Sequence, residues 1–263
     1  GAVLIAFEGL SILSLLIQKK RIPAVIWIQT AITFVAFVIL FMAPGNEMRV
    51  ASEITTWMPG YKELSVGNHL FMTIQWMLSS FANEGKAFFI AIWAAGFLLL
   101  VKSKKAKVYQ SLAVVFSVVA LLPYAGISFF SEMGIGYIDI EQCLTELPTW
   151  QTMTTQNRIA FFWWIAAVLF TLVLLWKVTG HSVFISMVFL GGIASEAVLY
   201  FSPTIYASGA RVYYLTDLMY LFIILWIVMH MDSEKKKNLF IAGVVVLGVA
   251  NFLSQYSIML LKL

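Results

Sequence analysis

The chain carries four arginines, and three of them, Arg49, Arg158 and Arg211, stand at or just past the edge of an apolar run, away from the lysine clusters. A guanidinium is a planar fork of donors that matches phosphate oxygens two at a time. Three forks converging on one cavity would suit the phosphate or diphosphate of a lipid-linked sugar. The plainer reading is that each arginine reaches lipid headgroups along its aliphatic stem or pairs with a nearby carboxylate. Both readings are open at this point.

The most distinctive local string is Ala43-Pro44-Gly45-Asn46-Glu47-Met48-Arg49. Pro44 ends the preceding helix, and Gly45 permits a close backbone approach or a positive φ. Asn46 supplies an amide for a turn or a ligand, with Arg49 one helical turn away. A helix end followed by an ordinary turn explains the same residues.

Three acids fall inside apolar runs: Glu8, Glu196 and Asp217. A charge in hydrocarbon costs several kcal/mol, so such residues face a cavity, pair with a partner or stay protonated. Asp217 follows Arg211 by six residues, about 9 Å at helical rise. The two are candidates for an ion pair. Asp139 and Glu141 would share a face of an extended segment and so resemble half of a divalent-cation site. On a hydrated loop the default for such a pair is solvated surface, and no metal site is assigned. His69, His181 and His230 are too scattered for a metal centre. The lone Cys143 gives no disulfide. Nine tryptophans fall mostly near segment ends, as an interfacial belt requires; Trp57, Trp76 and Trp150 are also placed to stack on a sugar ring.

The elements that position these residues follow from composition. Of 263 residues 61% are apolar and 11% charged, and the mean hydropathy is +0.90. Soluble domains carry about 25% charged residues. Hydrocarbon leaves backbone groups no water to bond, so spanning segments are helices or closed barrels, and continuous apolar runs select helices. The expected fold is all-α, a polytopic transmembrane helical bundle of about eight spans in a single domain over 1–263, with outer interfacial helices. The spans are read at about 2–18, 23–43, 86–102, 108–129, 158–177, 182–202, 211–230 and 238–261. The stretch 66–84 is interrupted by Ser79, Ser80, Asn83 and Glu84. It is expected as an interfacial or re-entrant element. Pro123 should kink the span that holds it.

Lys19-Lys20-Arg21, the lysines at 102, 104, 105 and 107, Lys177 and Lys235-Lys236-Lys237 mark the cytoplasmic side. That assignment requires one span between 44 and 102. It leaves 44–85, 130–157 and 203–210 outside, with Glu47, Glu53, Glu63, Glu84, Glu132, Asp139, Glu141 and Glu146. The net charge of +4 is accounted for by the lipid bilayer and calls for no nucleic-acid partner. Gly1 is followed by apolar residues with no basic flank, which is not a signal peptide; the chain is expected to be a fragment of a longer protein.

Ala43-Pro44-Gly45-Asn46 followed by Arg49, Glu8 within Ala6-Phe7-Glu8-Gly9, and Ser202-Pro203 followed by Arg211-Val212-Tyr213 together resemble an uncharacterised family of bacterial multi-pass membrane proteins. That family is akin to the GtrII-type glucosyltransferases of the GT-C superfamily. The resemblance covers most of this chain and corresponds to the later part of a family member. It implies a glycosyltransferase of the bacterial cytoplasmic membrane that takes sugar from a polyprenyl-phosphate carrier and delivers it to a cell-envelope glycan on the outer side. The substrate-binding residues it implies are Glu8, Asn46, Arg49, Arg158 and Arg211. The superfamily's catalytic acid in a first outer loop has no counterpart ahead of Glu8, and the gap from Pro203 to Arg211 is long for the pattern. No catalytic residue or cofactor is assigned. The alternatives are a transporter or flippase of lipid-linked sugars, and a non-catalytic membrane subunit. The transporter needs polar residues continuing toward the inner face.

Overall fold

The computed structural model describes residues 2–43, 45–101, 103, 106–122, 149–180, 182–197, 202–204 and 213–261. Among them every regular element is helical. In chain order these are α1 (Ala2–Ile17), α2 (Ala24–Phe41), α3 (Gly45–Trp57), α4 (Val66–Ser80), α5 (Lys86–Leu100), α6 (Lys107–Leu121), α7 (Thr155–Val178), α8 (Val183–Ala197), α9 (Tyr214–Met229) and α10 (Glu234–Leu261). Each of the eight apolar segments read from the sequence overlaps one of them; residues 102, 123–129, 198–201 and 211–212 of those segments lie outside the described residues. The Pro123 kink and the pair Asp139–Glu141 lie outside the described residues.

The ends have local causes. Ser65 caps α4 by accepting the Asn68 backbone N–H at 3.2 Å, and Thr154 caps α7 by accepting that of Asn157 at 3.2 Å. Past the end of α7, Gly180 adopts a φ of +63°, a conformation that side chains disfavour. Gly45 does not use that freedom. It opens α3 with an ordinary negative φ, so Gly45 and Asn46 begin a helix; Pro44 lies outside the described residues.

The stretch 66–84 departs from the expected separate element. Phe81–Gly85 forms a π-helical turn whose flanking residues Phe81 and Lys86 are both right-handed helical, so the chain stays helical from Val66 to Leu100. At 1.5 Å per residue this run measures about 52 Å, longer than a bilayer's hydrocarbon layer of about 30 Å. Ser79, Ser80, Asn83 and Glu84 interrupt the hydropathy but not the helix. The wider turn absorbs the extra residue.

The core gathers around α5, which packs against α6, α7, α9 and α10. Phe89, Ile92, Trp93 and Ala95 are fully enclosed. Trp93 donates its indole N–H to Thr171 Oγ1 at 2.8 Å, and Thr171 in turn donates to the Ala167 carbonyl at 2.7 Å. At Gly96 an added Cβ would stand 2.9 Å from the Leu174 side chain, which is why α5 and α7 approach so closely only with glycine there. On the other flank α8 packs against α1, α9, α7 and α4, and α1 also packs against α2.

Among the described residues one helix, α7, is long and apolar enough to cross a membrane by length and composition; the stretches Ala24–Ile39, Lys86–Leu100, Lys107–Leu121, Val183–Ala197 and Tyr214–Met229 are apolar but shorter. The apolar side chains are not confined to the inside. Ile28, Ile32, Val35 and Ile39 on α2, and Leu239, Val245, Val246 and Val249 on α10, are all exposed.

Candidate functional site

Arg49, Arg158 and Glu8, singled out from sequence, are each engaged by different partners. Arg49 donates its Nε–H to Glu53 Oε1 at 2.7 Å, one turn along the same helix, and its side chain is 74% exposed. The backbone of Asn46 lies in the first turn of α3, and its side chain lies outside the described residues. Arg158 stands in the first turn of α7. From Nη2 it donates to the carbonyls of Trp150 at 3.0 Å and Gln151 at 3.4 Å, and the guanidinium carbon lies 5.1 Å from the Trp150 ring centre. Those contacts fold the 149–152 turn back onto the helix it precedes. Arg158 Nε is buried without a partner. Arg211 lies outside the described residues. Glu8, 5% exposed, accepts from Thr33 Oγ1 at 2.8 Å across the α1–α2 contact.

No described contact joins Arg49, Arg158 and Glu8. Each is held by its own helix, its own preceding turn or the next helix in the chain.

The structure does assemble polar groups around Glu196. Its carboxylate is 1% exposed and accepts from Ser80 Oγ at 2.8 Å; that hydroxyl also lies 2.7 Å from the Met77 carbonyl, so one proton serves two acceptors. Ser80 is the last residue of α4, immediately before the π-turn. Turns of this type add a residue to the helix and re-aim the side chains around them, and they recur at functional sites. On α8, next to Glu196, Ser195 Oγ lies 2.7 Å from the Gly192 carbonyl and 2.9 Å from Thr216 Oγ1 of α9. Thr216 donates to that same carbonyl at 3.1 Å.

Tyr220, one turn along α9, is enclosed by Phe81, Phe88, Phe89 and Phe189, and Glu196 and Asp217 lie within Coulombic reach of its hydroxyl. Among the described residues that hydroxyl has no hydrogen-bond partner, and neither does Oε1 of Gln75 on α4, which is also buried. Leaving such groups unpaired in a closed interior costs about 1–3 kcal/mol each. Gly192 makes the approach possible: a Cβ there would lie 3.1 Å from Tyr220 Cε1.

Above this cluster Trp76 packs on Tyr213 with ring centres 4.9 Å apart, and Met58, Met72 and Met77 close around them. Trp57 and Trp150 are the tryptophans of this half whose rings are partly open. Of the acids inside apolar runs, sequence alone singled out Glu196 but not its partners. Ser80, Ser195, Thr216, Gln75 and Tyr220 carry one detectable signal: small or hydrogen-bonding side chains inside runs that are otherwise Leu, Ile, Val and Phe. No group of three or more His, Cys, Asp or Glu placed to hold a metal ion occurs among the described residues.

No family model, curated protein or solved structure matches this chain.

Proposed function

We propose that this chain is a polytopic protein of the bacterial cytoplasmic membrane that transfers sugar from a polyprenyl-phosphate carrier to an envelope glycan on the outer side. The membrane part of the reading is supported by apolar side chains that point outward over α2 and α10. A water-soluble fold rarely exposes contiguous apolar surface on that scale, whereas lipid tails accept it without cost. The unbroken helix from Val66 to Leu100 supplies the single crossing that the lysine clusters require between 44 and 102.

With the lysines inside, the end of α8, the start of α9 and the π-turn all lie toward the outer leaflet. The observation that carries the catalytic part is Glu196: a fully enclosed carboxylate with a serine hydroxyl at 2.8 Å, beside a π-turn in that half of the bundle. In this reading the carboxylate takes the proton of an acceptor hydroxyl as the new glycosidic bond forms. Guanidinium groups would meet the charge that grows on the departing phosphate, and donors aimed at that developing charge act on the transition state selectively. Arg49, largely open to its surroundings, and Arg211 are the candidates for that role.

Replacing Glu196 with Gln keeps the side chain's shape and an oxygen for Ser80 while removing the acid. Envelope glycosylation is expected to disappear in Glu196→Gln cells, with the protein inserted at its normal level. A glycan profile identical to that of the unmodified protein would remove Glu196 from the reaction. Loss of transfer in Arg49→Ala or Arg211→Ala, again with normal insertion, would support the headgroup role; full activity in both would end it.

A further inference from the structure

Glu8 is not explained by sugar transfer at Glu196, and its surroundings point elsewhere. Oε1 accepts from Thr33 at 2.8 Å, but Oε2 is buried and has no hydrogen-bond partner among the described residues. Along the same helix, Ser14 is 2% exposed and accepts from Gln18 Nε2 at 3.0 Å. Glu8, Ser11, Ser14 and Gln18 recur at intervals of three and four, so they form one stripe. Both Glu8 and Ser14 are enclosed on a helix whose packing partners are α2 and α8. The stripe therefore lies against those two helices. The stripe ends at Gln18, directly before Lys19-Lys20-Arg21.

An oxygen-lined seam leading from the lysine-rich end to a carboxylate with one open oxygen is the chemistry of a small-cation site. We infer that Glu8, with Thr33 and the hydroxyls of the α1–α2–α8 seam, binds a monovalent cation, a proton or a sodium ion, that enters from the lysine-rich side. Hydroxyl, carbonyl and carboxylate oxygens suit a hard cation of either kind. Neither α1 nor α2 carries another ionisable side chain. The one on α8, Glu196, bonds Ser80. Glu8 is thus the acid in this seam that can respond to either ion. The inference goes beyond glycosyl transfer and stands without it, because its readout involves no sugar.

The test uses the full chain in lipid vesicles and a hydrophobic carbodiimide, which adds to a protonated carboxyl inside the bilayer; the modified residue is located by peptide mass spectrometry. Modification at Glu8 is expected, slowing at least tenfold either when sodium is raised at constant pH or when pH is raised without sodium. The first result identifies a sodium site and the second a proton site. Absence of modification at Glu8, or modification indifferent to both ions, overturns the inference. A second measurement covers the entry path. In a Cys143→Ser background, Ser14→Cys is expected to react with a membrane-impermeant thiol reagent from the lysine-rich side only. Reaction from the opposite side, or none where a cysteine at exposed Lys235 reacts, counts against it.

Discussion

Among the described residues two carboxylates are buried, Glu196 and Glu8, and their settings differ. Glu196 sits where α4, the π-turn, α8 and α9 meet, next to the aromatic packing around Phe89 and Tyr220. Glu8 sits at the margin, on a helix held by α2 and α8, with exposed Leu13, Leu16 and Ile17 on its other side. The inner acid is enclosed and accepts from Ser80. The marginal one accepts from Thr33 on one oxygen, and its buried second oxygen has no partner among the described residues. The two proposed roles, proton transfer at the first and exchange of a small ion at the second, rest on that difference.

The sharpest way to break this contrast is to disturb the packing that holds the inner region. Gly96→Val would drive branched carbons into Leu174, which stands 2.9 Å from the position of the first added atom. A loss of about 1–3 kcal/mol is expected in detergent-titration unfolding. A neutral result would mean that α5 and α7 are not pressed together as described. At the margin, Thr33→Val removes the one donor to Glu8 Oε1. The expected cost is about 1–2 kcal/mol, the penalty of a second unpaired carboxylate oxygen, together with a changed rate of carbodiimide modification at Glu8. An unchanged rate would separate Thr33 from the seam.

Smaller effects sharpen the same comparison. Trp93→Phe deletes the indole donor to Thr171 while keeping an aromatic ring, and about 1 kcal/mol should be lost in the same assay. Thr171 still donates to Ala167, so no donor is stranded; a loss well beyond that would point to a packing role for the larger ring. Arg49→Ala should be the mildest. Its partner Glu53 lies one turn away on an exposed helix face, and such pairs contribute about 0.3–0.5 kcal/mol. Any large loss of glycosylation in that variant would then belong to ligand binding and not to folding.

The helices were legible because apolar runs bounded by lysines, prolines and caps leave few alternatives. The continuity of 66–100 was not. Ser79, Ser80, Asn83 and Glu84 read as an interruption, since hydropathy registers polarity but not whether a wider turn can absorb it. Glu196 was visible as an acid among apolar residues, yet Ser80 and Thr216 are remote in sequence and meet it or its neighbour only through packing. For the arginines the sequence showed a shared position relative to their segments; the partners of Arg49 and Arg158 came only with the structure, and Arg211 lies outside the described residues. Glu53 and the Trp150 carbonyl were close enough in the chain to claim the first two.

All of these readings depend on which end of the bundle meets the outside. Single cysteines at exposed Lys62 and exposed Lys235, each in a Cys143→Ser background, report it through an impermeant thiol reagent applied to intact cells. Labelling at position 62 in intact cells, with labelling at 235 only after permeabilisation, is the predicted pattern. Labelling of both, or of 235 alone, would contradict a membrane-embedded bundle that presents the Glu196 end to the outer face.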